Sequence, residues 1–531
     1  MTGLLFAVVL AGAAETPALT ERRKALHVLD RLTFGARPGD VERVEKFGVD
    51  AFIDAQLHPE RIDDSTCDRA LAGYKTLSMS SRQLADAYPD KKKFLQRMLG
   101  GAFVPPRTII DELAQAKLTR AVSSERQLQE VMTDFWFNHF NVYGLKNQDK
   151  WLLTSYERDV IRTRALGKFR DLLGAVARSP AMLVYLDNAQ STVDARYAPL
   201  GERMEMEEME ADMAKSARGK KGARTRLGLN ENYARELMEL HTLGVDGGYT
   251  QKDVTELARV LTGWSIDQPN KKNGLKDYAF KFRPRMHDRG GKVVLGAPFM
   301  DAGELEGEKA LDLLAKHPAT AHFIALKLCR RFVADAPPPA LVDLVAAKFH
   351  ESDGDIRETL RALFTAPEFY DPRYFRSKIK TPFEFMASAL RATGATLDDP
   401  LKLARQLERM GEPLYLCEPP TGYPDRAQNW ISAGALLARL QFAQQLFGRN
   451  PNLPAHARDV PAMPAEGAQR LVEELLSSYL GGEVSARTRA AIVKRLDDPE
   501  ISGAKLDDPK KHYRVPRIAA LVLGSPDFQR R

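Results

Sequence analysis

LNENYARELMELHTLGVDGGYT, residues Leu229–Thr250, has the spacing of one amphipathic helix with marked ends. Asn230 is a residue type that caps a helix start, and Gly244, Gly247 and Gly248 supply the stop. On a helical wheel Asn232, Arg235, Glu236 and Glu239 fall within an arc of about 100°, while Tyr233, Leu237, Met238 and Leu240 take the other side. His241 falls among the apolar positions, where an unpaired imidazole is costly. Two carboxylates, a guanidinium and an amide on one face, with an inward histidine nearby, suit a site. They suit equally a solvated face and a hydrogen-bonded core histidine. Both readings stand at this level.

The same helical period recurs on either side. Ser124–Phe140, SERQLQEVMTDFWFNHF, places Leu128, Met132 and Phe135 on one face with His139 beside them, and Ser124 with Gln127 has the spacing of a capping box. Helices are expected over Thr20–Leu32, Val41–Phe47, Thr154–Leu166, Gln251–Trp264, Glu304–Leu314, Thr320–Phe332, Pro339–Phe349, Phe383–Thr393 and Ala433–Phe447. Only residues 277–296 alternate in the manner of strands, Asp277–Phe282 pairing with Lys292–Gly296 in a small hairpin. Between them lies a polar loop containing His287 and Asp288. The expected architecture is mainly α, a multi-helical array or bundle with one small β-hairpin insertion.

Length and composition set the frame. A chain of 531 residues exceeds the usual single core, so a main helical domain over 20–448, a linker over 450–467 and a small helical C-terminal segment over 468–531 packed on it are expected. Lys plus Arg (78) exceeds Asp plus Glu (71) by seven, and the surplus is spread along the chain, which excludes a nucleic-acid footprint. Residues 202–226, ERMEMEEMEADMAKSARGKKGARTR, read as a charged, mobile insertion. Met1–Ala14, MTGLLFAVVLAGAA, reads as a signal peptide with an apolar core and small residues at its end, so the mature protein is expected in the periplasm or outside the cell. No later stretch approaches the ~20 apolar residues of a membrane span. Cys67, Cys329 and Cys417 stand far apart, which allows at most one disulfide and argues against a cysteine-ligated metal.

Several segments together resemble the bacterial family of unknown function DUF-1800. They are LTFGARPGD near the start, FWFNHF at Phe135–Phe140, NENYARELMELHTLGVDGGYT at Asn230–Thr250, HDRGGKVVLG at His287–Gly296, TPFEFMASALRATG, and PPTGYPDRAQNWIS before the helix that begins at Ala433. The resemblance covers about 25–448. Where family members commonly carry Gly-Trp in the proline-rich loop, this chain has Gly422-Tyr423. The resemblance implies a largely helical, exported bacterial protein, frequently encoded beside a protein with an alkaline-phosphatase or sulfatase-like core. It carries no catalytic residue across.

Two functions of different class follow. The first is a hydrolase-like enzyme, metal-assisted or acid–base, with Glu236, Glu239, His287 and Asp288 as catalytic candidates. Asn232, Arg235 and Trp430 would then bind substrate, and His139 and His241 would be ligands for a divalent metal. Against it, the spacing fits no HExxH and no Glu-x-x-His pair, and Glu236 and His241 are five apart, poor for chelation from one helix. No nucleophile elbow, phosphate loop or dinucleotide fingerprint occurs. The second is a non-enzymatic scaffold or partner for the sulfatase-like neighbour, with Arg235 in a structural ion-pair clamp.

Overall fold

Glu231–Glu239 forms as a helix because its first turn is closed from both sides: the Asn230 side chain accepts from the Asn232 N–H at 2.9 Å, and Tyr233, Ala234, Leu237 and Met238 are buried. A computed structural model describes residues 18–96, 102–194, 228–268, 277–448, 465–496, 498 and 515–531. The candidate signal peptide 1–14, the charged insertion 202–226 and residues 450–464 of the expected linker lie outside the described residues. Residues 465–467 belong to a helix, Ala465–Leu480.

The chain is mainly α. Among the described residues the only sheets are two antiparallel pairs of short strands. Expected helices appear with small shifts of boundary, among them Glu21–Leu32, Asp40–Phe47, Glu304–Lys316, Pro318–Phe332, Pro339–Glu351 and Ala433–Gly448. No helix among the described residues is long and apolar enough to cross a membrane. The three cysteines are free and buried.

Three local expectations are corrected. Gln127–His139 is a helix, but Ser124 and Gln127 do not form a capping box. The Ser124 hydroxyl donates to Asp64 at 2.7 Å, and the Gln127 amide accepts from Phe34 N–H while donating to Ala121 and Ser124 carbonyls. Long-range partners outcompeted the local ones. The helix expected over Thr154–Leu166 starts earlier, at Asp149, and widens into a π-turn over Tyr156–Ile161. The helix from Gln251 ends at Val260, and Trp264 instead opens a strand.

The strand pairing also differs. β1 (Trp264–Asp267) pairs with β2 (Ala279–Phe282), and β3 (Lys292–Val294) pairs with β4 (Ala297–Phe299). The expected partners, 277–282 and 292–296, lie in different sheets. The tight turn at Leu295-Gly296, with φ of 50° and 76°, folds β3 back on the residues immediately after it. A two-residue turn with both φ positive is the connection that matches strand twist, so the local partner wins.

One continuous apolar core runs from Val28 to Phe528. The C-terminal segment joins it through Ala465–Leu480 and Val515–Gly524, which pack on Pro382–Thr393 and Ala433–Gly448. The last residues are tied by backbone: Arg531 N–H donates to Lys378 O (2.9 Å), and Lys380 N–H donates to Gln529 O (2.9 Å). Burying each large apolar side chain of this core contributes about 1.5–3 kcal/mol. The polar groups drawn in with it define the candidate sites.

Candidate functional site

The polar face of the Glu231–Glu239 helix does not converge. Asn232 is exposed, and Arg235 reaches Gln251 (2.8 Å) and Glu231 (3.7 Å) rather than Glu236 or Glu239. The guanidinium thus fastens this helix to the next one, Gln251–Val260. Glu236 is half-buried, and burial, then the nearby Glu239 charge, raises its carboxyl above the ordinary range. Glu239 accepts a long bond from Tyr249 Oη (3.4 Å).

His139 and His241 do meet. Their ring centroids are 6.3 Å apart, in an aromatic cluster with Phe140. His139 Nε2 lies 3.1 Å from His241 O. A carbonyl only accepts, so Nε2 carries the proton and Nδ1 presents its lone pair. That Nδ1, like His241 Nδ1, is buried without a hydrogen-bond partner. Burial, then the Lys327 charge, keeps both rings neutral: His139 titrates well below its ordinary value and His241 at about 3.

His287 and Asp288 sit inside the protein rather than on an open loop, 2% and 1% exposed. His287 Nδ1 faces Thr262 O at 2.9 Å and Nε2 faces Glu306 Oε1 at 3.2 Å. Asp288 takes the Arg259 guanidinium at 2.7 and 3.2 Å, and Lys292 Nζ, fully buried, lies 2.8 Å from Glu306 Oε2 and also donates to Asp288 O. His287, Asp301 and Glu306 hold donor atoms within 4.8 Å of one another, a set of the kind a borderline divalent cation takes. Lys292 already supplies a positive charge to Glu306, however, and Arg259 supplies one to Asp288. Arg259 is shared with Glu256 at 2.9 Å, and the whole forms a buried knot joining β3 to the helices on either side.

No side-chain hydrogen bond or ion pair among the described residues joins these three groups. The residues that do converge line a cavity of about 290 Å³. Its walls come from segments distant in sequence: Asn138 and His139 from FWFNHF, Lys327, Arg330 and Arg331 from Pro318–Phe332, Thr381 and Glu384 from TPFEF, and Tyr423, Asp425 and Arg426 from the proline-rich loop. Asn138 holds that loop from both sides, donating to Tyr423 O (2.8 Å) and accepting from Tyr423 N–H (2.7 Å). The approach is so close that a Cβ at Gly422, whose φ is 69°, would stand 2.3 Å from Asn138 O. The Tyr423 hydroxyl donates to Pro413 O (2.8 Å), and its ring lies 6.0 Å from Trp430, which is itself buried behind the loop with Nε1 on Pro424 O. Trp430 therefore supports the loop and is absent from the cavity lining.

Titratable groups in this cavity are strongly perturbed. Glu412 is buried, accepting from Phe383 N–H at 2.7 Å, and burial pushes its carboxyl up to about 8, the Asp134 and Glu384 charges adding to the effect. Burial lowers the Lys327 ammonium to about 8. Glu384 moves the other way. Burial alone would raise it, but Arg331 and, at 3.0 Å, Arg531 hold it well below the usual carboxylate range. A carboxylic acid protonated at neutral pH, an ammonium titrating near it and a neutral histidine form the parts of an acid–base site. Sequence reading missed most of them because each has a bland local explanation: Glu384 completes a capping box with Thr381, and Lys327 sits one turn from ordinary core residues. The signal available was their placement inside, or next to, segments of unusual composition.

The architecture and this cavity define a mainly helical domain with a buried, charge-rich pocket. The chain belongs to the family described as proteins of unknown function (DUF1800), whose model matches residues 27–530. No curated protein and no solved structure matches it significantly.

Proposed function

We propose that the protein is an exported bacterial enzyme of hydrolase-like, acid–base type, and that the cavity around Glu412, Lys327 and His139 is its site. The observation that carries this reading is the convergence of three motif segments on one cavity that holds an acid and a base with oppositely shifted affinities for protons. Glu412, neutral at pH 7, serves as the proton donor and His139 Nδ1 as the acceptor, while Lys327, still mostly an ammonium at pH 7, supplies positive charge. Glu236, Glu239, His287 and Asp288 then have positioning and structural roles. A divalent metal, where one is used, is best accommodated by His287, Asp301 and Glu306. Export rests on the apolar stretch Leu4–Leu10 and the small residues after it, and is checked by the N-terminus of the mature protein.

The test is turnover by the full-length protein of chromogenic esters, glycosides and phosphate and sulfate monoesters between pH 6 and 9. Glu412→Gln should lower turnover by about 10²–10⁴-fold, the usual worth of a general acid. Turnover that Glu412→Gln and His139→Ala leave unchanged, or none with any substrate class, would sink the reading.

A second reading, a non-enzymatic scaffold for a sulfatase-like partner, is favoured by one surface feature. Ile431, Leu436, Leu437 and Leu440 are all exposed along the start of the Ala433–Gly448 helix. Contiguous apolar exposure of that kind marks interaction surfaces. Co-purification with the partner that Leu437→Lys abolishes would support it.

A further inference from the structure

The cavity is lined by more positive charge than its own acids neutralise, and the excess is localised. Two of the five lining cations are already engaged. Lys117 lies 2.5 Å from Asp134, and Arg331 shares Glu384 with Arg531. Asp425 is bound at 2.8 Å by Lys378, which also holds Asp335 at 2.8 Å. Glu412 carries no charge at neutral pH. Three cations are left over. Among the described residues Lys327 is in no ion pair, and its ammonium lies 5.5 Å from the centre of the Phe323 ring. Among the described residues Arg330 makes a single long bond, to the backbone of Asp335 (3.3 Å), and Arg426, exposed, is in no ion pair.

These three are close enough to act on one another. The Arg330 charge opposes that of Lys327 and the Arg426 charge opposes that of Arg330, while Asp425, already held by Lys378, offsets both only in part. A fold does not gather like charges around a partly buried space without cost, since each is desolvated and repelled. Such an arrangement is stable in use when an anion enters between them. Guanidinium and ammonium groups around a concave space are also the donors that match the oxygens of a phosphate, sulfate or carboxylate. The neutral side of the cavity is differently equipped. The Asn138 and Asn141 amides are spent on the proline-rich loop, His139 Nδ1 has no hydrogen-bond partner, and the rings of Phe135, Phe137 and Tyr423 supply apolar wall.

We propose that Lys327, Arg330 and Arg426 bind the oxyanion group of a small ligand whose uncharged remainder occupies the cavity beside His139 and Tyr423. This rests on the reading of that cavity as the site and names its substrate class: small molecules bearing a phosphate, sulfate or carboxylate. A volume of about 290 Å³ suits a small-molecule ligand.

The experiment is titration of the full-length protein with inorganic phosphate, sulfate and acetate at constant ionic strength, using chloride as the reference salt, followed by calorimetry and by ligand-linked thermal stability. The parent should show saturable, one-to-one binding of at least one of the three oxyanions. Lys327→Met should weaken it at least tenfold. Arg426→Met, which alters only an exposed side chain, should weaken it severalfold without affecting the fold, and Lys348→Met on the distant Pro339–Glu351 helix should leave it unchanged. Which oxyanion binds best identifies the group. No saturable binding in the parent, or binding equal in Lys327→Met and Arg426→Met, overturns the inference. Glu412→Gln separates the two claims: it should lower turnover by about 10²–10⁴-fold while keeping oxyanion affinity. Turnover of neutral substrates uninhibited by any oxyanion would remove this inference and leave the acid–base reading intact.

Discussion

Replacing Glu412 with glutamine should stabilise the protein, and by an amount that depends on pH in a defined way. The carboxyl titrates at about 8 in the folded chain against an ordinary value of 4.5, because burial penalises its anion. A group whose folded pKa is raised keeps its proton where the unfolded chain has lost it, so stability falls as pH rises through that window. At pH 7 the difference spans 2.5 units from the ordinary 4.5, or about 3 kcal/mol at ~1.4 kcal/mol per unit. It reaches about 5 kcal/mol above pH 8 and is under about 1 kcal/mol at pH 5. Glutamine is isosteric and neutral, and its carbonyl can still accept the Phe383 N–H that now bonds Glu412 at 2.7 Å. Urea unfolding of parent and variant, followed by tryptophan fluorescence at pH 5, 7 and 8.5, measures the difference directly. A gap that opens from nearly nothing at pH 5 to several kcal/mol at pH 8.5 is the expected result. A gap of the same size at all three pH values would refute it, because packing and hydrogen bonding carry no such dependence.

Other consequences follow from the same geometry. Arg331→Met leaves buried Glu384 with Arg531 alone and should cost about 3–5 kcal/mol, partly recovered by adding Glu384→Gln; a loss below about 1 kcal/mol in urea melts would show that Arg531 suffices. His241, lowered to about 3 by burial and then by the Lys327 charge, cannot take a proton that its unfolded counterpart takes below pH 6.5. It should therefore cost about 2 kcal/mol of stability at pH 5, a loss that His241→Asn removes, and an unchanged acid midpoint in that variant would count against the assignment. Because Lys292 and Arg259 already neutralise Glu306 and Asp288, prolonged dialysis against a chelator should leave the melting temperature unchanged. Near-stoichiometric metal in the parent, lost in a folded His287→Ala variant, would instead establish a cation at His287, Asp301 and Glu306.

Sequence alone determined the elements that depend on short-range order. The period of Tyr233, Leu237 and Met238 and the cap at Asn230 were enough to place the start of the Glu231–Glu239 helix and its buried face, since helical register is fixed by residues three and four apart. Its end was not placed, for the helix stops at Glu239, well before the glycine stop expected at Gly244. The mainly α class and the family followed from many such segments. What sequence could not settle was competition. Ser124 and Gln127 have capping-box spacing, yet Asp64 and Phe34, far along the chain, claimed their side chains. Lys292–Val294 had a plausible strand partner before it and took the one just after it, because the turn at Leu295-Gly296 closes more cheaply. His287 and Asp288 read as an open loop until Arg259, Lys292 and Glu306 closed around them. The cavity is the extreme case. Lys327, Glu384, Glu412 and Arg426 come from different segments of the chain, and none stands out locally. Lys327, Glu384 and Glu412 are shifted by burial and by charges brought up from other segments, and both of those are properties of the folded chain.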